Sequence, residues 1–403
     1  MNNSLPSSSP SPSSKTGLPD LAARNDVAAR IREDGPMRFD EFMRLALYHP
    51  HYGYYSRGDR IFGSEGDFIT APGLSPLFGQ TLGRALGGLM EGTSDGCKPV
   101  IYEFGAGDGR LACDILSAIG GQVEKYNIID LSGGLKEKQA ERIQRELPTE
   151  IASKVNWLHE LPDSFDGIVI GNELLDALPV RRFAWTNDAV LETFVTVDDA
   201  QKSPYPQLTC IDLPAAEDIT EFAKQLLVKH GPWPSPYRSE WGLEARAWVQ
   251  TVTQKLRGFA LMIDYGRDAE HYYNHTQNQG FLRAHSQHVA HDGFLEGIGL
   301  QDLTCHVDFS GIYESIVYAG GELEGYCTQS AFLRHHGILD LAASDAQFLD
   351  PLEGGAHRQA INMLLSEAEM GETFKVICWS KVIPMPEGKL HTGFIQHDLS
   401  HLL

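Results

Sequence analysis

The sequence predicts a doubly wound α/β fold, and three stretches carry that prediction. The first is VIYEFGAGDGRLACDIL, residues 100–116. Five residues with strand preference run into Gly105-Ala106-Gly107-Asp108-Gly109, and apolar residues then recur at helical spacing through Leu111, Ala112, Ile115, Leu116 and Ile119. The second is a strand-like run over 126–129 that ends at Asp130, and the third is FDGIVIGNELLDALPV, residues 165–180. Strand, glycine turn and helix make the nucleotide-binding corner of such sheets. The glycines let the chain turn through φ values that a Cβ opposes, and let backbone approach a ligand. The helix that follows aims free N–H groups at the same place.

The spacing also discriminates between nucleotides. A dinucleotide fingerprint needs G-x-G-x-x-G/A directly after the strand. Counted from Gly105, its third position is Arg110; counted from Gly107, it passes through Gly109 and Ala112 but starts two residues late. G-x-G-x-G with Glu103 at the strand end is instead similar to the first motif of S-adenosylmethionine-dependent methyltransferases. Asp130, about twenty residues on, suits the free ribose diol of that cofactor, because a carboxylate can accept both hydroxyls. Glu103, Gly105, Gly107, Gly109 and Asp130 are therefore candidate cofactor residues.

The chain's 403 residues suffice for a full α/β domain plus a lobe or insertion. Apolar and charged contents of 42% and 22% are those of an ordinary globular protein. The net charge of -21, from 33 basic and 54 acidic side chains, argues against nonspecific nucleic-acid binding or an anionic membrane surface. A basic protein or peptide substrate suits it better. The cysteines at 97, 113, 210, 305, 327 and 378 show no C-x-x-C pairing, so they read as reduced thiols without zinc. No apolar run reaches about eighteen residues, so no membrane insertion is expected.

In chain order, residues 1–17 are Ser-, Pro- and Asn-rich and predict a disordered tail. The tail lacks a signal-peptide core and is poor in Arg, which favours a cytoplasmic location over a mitochondrial one. Residues 21–47 are apolar at helical spacing, broken at Gly35-Pro36. YHPHYGYYS (48–56) and GDFITAPGLSPLFG (66–79) look too irregular for either regular element. They read equally as packed structural loops or as a cover over the cofactor with Thr70, Ala71 and Pro72 close to it. Helices are expected over 77–90 and 135–147, and a third strand near 155–158.

In the third stretch, residues 167–170 form a buried strand with Asn172, Glu173 and Asp176 directly beyond its carboxyl end. Placing two carboxylates and an amide there is costly without a partner, so all three are candidate catalytic residues. Capping and exposure account for Asn172 and Asp176 more readily than for Glu173. About eighty residues then separate this strand from the next, 259–263, which ends in Asp264-Tyr265-Gly266. That exceeds a usual connection and implies an inserted subdomain, drawn at 189–243, with a hairpin (190–197 and 207–213) and a helix (219–227). The full division is a tail at 1–17, an N-terminal helical region at 18–98, core at 99–188, the insertion, and core again at 244–403. His285, His288, His291 and His306 have no helical i, i+4 pairing, so no metal is expected. Residues 370–381 read as a last antiparallel strand.

GDFITAPGLSPLFG, YEFGAGDGRLACDIL, GNELLDALPV, LMIDYG, LRAHSQH and DLTCHVDFS occur in this order, and together they resemble the MidA family of methyltransferases, from about residue 35 onward. The resemblance implies a class I, seven-strand, Rossmann-like methyltransferase sheet with an added helical lobe, and S-adenosyl-L-methionine as cofactor. For the family's mitochondrial members it implies symmetric dimethylation of an arginine in the 49-kDa-type subunit of complex I, in the mitochondrial matrix. The chain departs from the family pattern at Gly73 (usually Glu), Ala106 (Pro), Asp130 (Glu) and His285 (Tyr). The first change removes a carboxylate near the cofactor loop.

On this reading Glu173 forks onto the guanidinium of the substrate arginine, with Asp176 second and Asn172 orienting. A small-molecule methyltransferase, a noncatalytic complex I assembly factor and an NAD-dependent dehydrogenase are the rival readings, the last disfavoured by the glycine spacing.

Overall fold

The computed structural model describes residues 18–57, 70–91, 98–130, 133–187, 189–200, 203–286, 289–345, 350–381 and 397–403. The expected tail at 1–17, the start of the GDFITAPG segment and His288 lie outside these. The strands are β1 (Met37–Arg38), β2 (Val100–Phe104), β3 (Lys125–Ile129), β4 (Val155–Leu158), β5 (Phe165–Asn172) and β6 (Arg181–Thr186). There follow β7 (Ala189–Val197), β8 (Leu208–Pro214), β9 (Tyr237–Trp241), β10 (Leu256–Arg267) and β11 (Leu282–Ser286). The last are β12 (Val289–His291), β13 (Asp302–Cys305), β14 (Val307–Asp308), β15 (Glu322–Thr328) and β16 (Phe374–Lys381).

The central sheet runs β15-β16-β10-β5-β2-β3-β4, with the short β14 paired to β10. Strands β4, β3, β2, β5 and β10 are mutually parallel, and β16 is antiparallel to both its neighbours. This is the seven-strand methyltransferase sheet. Because side chains alternate across a strand, each central strand feeds two apolar layers. Ile101, Ile168, Ile170, Leu261, Ile263, Val376 and Cys378 pack on one face with the helices Pro76–Glu91 and Arg110–Ile119. Tyr102, Phe104, Val169, Ala260, Met262, Ile377 and Trp379 pack on the other with Leu243–Lys255 and Phe309–Tyr318. Strands covered on both faces read as near-continuous apolar runs, which is why β5 and β10 were visible in the sequence.

A second body packs around its own core. A sheet β1-β7-β6-β9, with β8 on β7, is covered by the helices Leu18–Asp34, Phe39–Tyr48 and Glu217–His230, and a three-stranded sheet β12-β11-β13 joins it. The boundary drawn at residue 189 is therefore corrected. It falls inside the β6–β7 hairpin, whose register pairs Thr186 with Ala189, so the insertion starts at β6. β1 pairs with β7, and Phe281, Leu282, Leu303 and Cys305 share this core. The N-terminal helices, the insertion and much of 281–305 form one lobe. The segment 66–79 is expected to be irregular up to the helix over 77–90, but Ala71–Leu74 is a short helix with Pro in its first turn.

Candidate active site

A cavity of about 400 Å³ opens beyond the carboxyl ends of β2, β3 and β5, where the sheet and the lobe meet. The glycine turn forms its floor. Gly105, Gly107 and Gly109 have φ of 66°, 55° and 82°, values that side chains with a Cβ oppose. Gly105 and Gly107 line the cavity, as do Glu103, Asp130, Thr70 and Pro72. Gly109 does not: it precedes the helix Arg110–Ile119, and a Cβ on it would stand 3.2 Å from the Gln139 backbone. Its freedom serves helix packing. Gln139 ties this region together, since its Nε2 donates to Gly107 O at 2.9 Å and Asp130 Oδ2 at 3.0 Å, while Trp157 Nε1 donates to its Oε1. Glu103 is buried and accepts from the Tyr126 hydroxyl at 3.0 Å. Burial pushes its carboxyl up to about 8, helped by the charges of Asp130 and Asp108 and opposed by Tyr126.

The turn after β5 brings Asn172, Glu173 and Asp176 to the same cavity. No helix follows it, so capping does not explain these residues. Glu173 has a left-handed φ of 52°, uncommon for a residue with a side chain. Two sets of bonds hold it. Its N–H donates to Ile263 O at 2.9 Å, and Asp264, just past the part of β10 that pairs with β5, accepts the next three backbone N–H groups, from Leu174, Leu175 and Asp176.

The Glu173 carboxylate accepts from Asn172 Nδ2 at 3.0 Å and from the Ala71 backbone. Ala71, fully buried, thus touches the site through its main chain. Glu173 faces the cavity yet is enclosed by protein, and burial pushes its carboxyl up to about 8, with Asp176 and Asp302 adding to the rise. Burial likewise raises Asp176 to about 6. The Tyr265 hydroxyl lies close enough to favour the charged form of Asp176 but makes no hydrogen bond of ordinary geometry.

A model of a family of S-adenosyl-L-methionine-dependent methyltransferases matches residues 81–327, which span the glycine turn, Asp130 and the 172–176 turn. The chain belongs to this MidA-type methyltransferase family. The methyltransferase also superposes on a Burkholderia thailandensis protein assigned as a methyl transferase and bound to S-adenosyl-homocysteine. The match has a TM-score of 0.88 and 37% identity, over 98% of this chain and 100% of that one. It is 28% identical over 377 residues to the mitochondrial protein arginine methyltransferase NDUFAF7 of Danio rerio, covering 87% of this chain and 84% of that protein. For the Homo sapiens protein of the same name the figures are 27% over 398 residues, 92% and 84%.

The methyltransferase's cofactor is S-adenosyl-L-methionine, and the residues present fit it. The cavity volume lies within the ~300–1,000 Å³ of small-molecule sites. Asp130 offers a carboxylate for a diol beside the apolar Ile129, Leu135 and Leu158. Asn172 Oδ1 is a buried acceptor without a partner.

Sequence reasoning passed over Gln139, Asp264, Asp302, Tyr48 and Tyr55. Asp264 had a signal: it directly follows the apolar run 259–263, as Asn172 and Glu173 follow that of β5. Gln139 sits in the helix expected over 135–147, where nothing in the spacing marks it, and Asp302 reaches the cavity through tertiary packing alone. Among the described residues no group of three or more His, Cys, Asp or Glu could hold a metal, and no helix is long and apolar enough to cross a membrane.

Proposed function

We propose that this methyltransferase modifies an arginine of a protein substrate, and that its target is the 49-kDa-type subunit of respiratory complex I, dimethylated symmetrically. One observation carries the arginine reading. Beyond the glycine turn the cavity is walled by carboxylates, Glu173 and Asp176 foremost, suited to a cationic, many-donor side chain. The relatives named protein arginine methyltransferases support it.

Gly105, Gly107, Glu103 and Asp130 hold the cofactor, with Thr70, Ala71 and Pro72 along the neighbouring wall. Bound there, S-adenosyl-L-methionine supplies an electrophilic methyl group on a sulfonium. The Glu173 carboxylate takes two guanidinium N–H groups, fixes their plane and directs electron density to the attacking nitrogen. Asn172 orients Glu173. Transfer makes the N–CH3 bond, breaks the S–CH3 bond and releases one proton, since the methylated guanidinium stays cationic while the sulfur becomes neutral. Glu173 is the acceptor for that proton, and its raised carboxyl range makes it a competent base near neutrality. The strained turn holds it in place before substrate arrives.

The test uses tritiated-methyl S-adenosyl-L-methionine, purified enzyme and extract from cells lacking its gene, with wild type and Glu173→Gln side by side. Labelled bands are hydrolysed to amino acids. Symmetric dimethylarginine in a band of the 49-kDa-type subunit, with wild type only, is the expected result. Label confined to small molecules would overturn the protein reading. Undiminished label with Glu173→Gln would overturn the role of Glu173.

A further inference from the structure

We propose that Tyr265 is a positioning residue for methyl transfer, its hydroxyl holding the buried carboxylate of Asp176 toward the substrate from behind the cavity wall. The inference rests on Asp176 as the second carboxylate of the arginine reading, and assigns what fixes it there.

Asp176 lines the cavity and is only 4% exposed. Its main chain is held on both sides. The Asp176 N–H donates to Asp264 Oδ2 at 3.2 Å, and Asp176 O accepts from the Cys305 N–H at 2.9 Å. Asp264 Oδ1 accepts the Tyr265 N–H at 2.9 Å, so one carboxylate ties the backbones of Tyr265 and Asp176 together. Thr304 and His306 flank Cys305, and residues two apart in an extended chain face the same way. Both meet Tyr265. The His306 ring stands edge-on to the phenol with centroids 5.1 Å apart, Phe374 packs at 5.3 Å, and the Thr304 hydroxyl lies beside the phenol oxygen.

The tips of these side chains, by contrast, are left unpaired. Asp176 Oδ1, the Tyr265 hydroxyl and Thr304 Oγ1 are all buried, and among the described residues none has a hydrogen-bond partner of ordinary geometry. Neighbouring buried polar atoms left in this way are costly, and a small adjustment of Asp176 lets them pair in series. Thr304 then donates to the phenol oxygen and Tyr265 donates to Asp176, each bond polarising the next. Catalytic hydrogen bonds often tighten only around bound substrate. A donor at this place favours the ionised carboxylate that a guanidinium needs, against the burial that raises Asp176 to about 6. Tyr265 is not among the described residues that line the cavity, so it works through Asp176 rather than on the substrate.

The experiment uses full-length enzyme carrying Tyr265→Phe, Asp176→Asn or both. Initial rates of tritiated-methyl transfer into arginine are read in extract from cells lacking the gene. Tyr265→Phe keeps the ring and loses a hydroxyl with no ordinary bond, so it should fold as wild type does. Its transfer should be slower by about tenfold, and adding it to Asp176→Asn should cost nothing further. In protein labelled with 13C at the aspartate carboxyls, the Asp176 signal is the one missing from Asp176→Asn. Its titration midpoint, about 6 in wild type, should rise by about one pH unit in Tyr265→Phe. Glu173, Asp264, Tyr48, Tyr55 and Cys305 also feel the Asp176 charge, and all are kept in this variant. Thr304→Val should act in the same direction, more weakly.

Losses that multiply in the double variant would overturn the proposal, because Tyr265 would then act without Asp176. So would an Asp176 titration that does not move. If Tyr265→Phe makes methylarginine as fast as wild type, the positioning role falls and the arginine reading survives. If the Asp176 midpoint rises but wild-type hydrolysates hold no methylarginine, the arginine reading falls and the hold of Tyr265 on Asp176 stands.

Discussion

Asp264 Oδ2 accepts the backbone N–H of Leu175 at 2.8 Å, and the same oxygen accepts from Leu174 and Asp176 at 3.1 and 3.2 Å. One carboxylate, on β10 just beyond its pairing with β5, thereby shapes the turn that carries Glu173. Removing it in Asp264→Ala strands three buried donors. Unfolding in urea should show a loss of roughly 3 kcal/mol or more, and methyl transfer should vanish. A variant as stable as wild type would contradict this role.

Glu173→Gln keeps the size of the side chain and loses its charge. Transfer should fall at least about 100-fold, while S-adenosylhomocysteine affinity, read by calorimetry, stays within about twofold because the glycine turn is untouched. Loss of cofactor affinity instead would reassign Glu173 to the cofactor.

Gly107 has φ of 55° and lies on the cavity floor. In Gly107→Val a β-branched residue is forced into the left-handed region, at a cost of about 1–2 kcal/mol or more, and its side chain competes with the cofactor. Cofactor affinity should drop at least about tenfold with the fold retained by circular dichroism. Intact affinity with lost transfer would reverse the assignment.

Glu103 links stability to pH. Its carboxyl is raised from 4.5 to about 8 in the folded protein, so between those values the folded state binds a proton that the unfolded state lacks. Its contribution to stability is complete below pH 4.5 and is lost as pH rises through about 8. Glu103→Gln keeps an acceptor for Tyr126 and cannot ionise. Without cofactor, its advantage over wild type should grow from near zero at pH 4.5 toward at most about 5 kcal/mol above pH 8. A melting-temperature difference that does not change with pH would show that Glu103 is not the titrating group.

The central sheet was legible because doubly covered strands leave long apolar runs, and the glycine turn because only glycine tolerates its φ values. Glu173 and Asp130 were legible for a related reason, as charged residues at the ends of such strands. Gly109 lies in the same motif, yet its freedom accommodates Gln139, a distinction the spacing does not carry. The lobe was legible as an excess of chain length but not as a unit. Its parts lie before β2, between β5 and β10, and again after residue 281, and only their packing into one core shows that β1, β6 and β13 belong together. Asp302 illustrates the limit: its local sequence resembles any strand start, and its place at the cavity depends on contacts with Tyr55, 247 positions away.

β16 lies between β10 and β15 and comes after both in sequence. While the chain emerges from the ribosome, the inner edges of both strands stay without a partner until the last of the three arrives. Domains tend to fold as units during synthesis, but this sheet closes only by inserting a late strand into a waiting gap. Unpaired edges attract other chains. Nascent enzyme is thus most prone to aggregate just before β16 is made, and a chain stopped short of it would keep the glycine turn and Asp130 but leave the sheet split beside them.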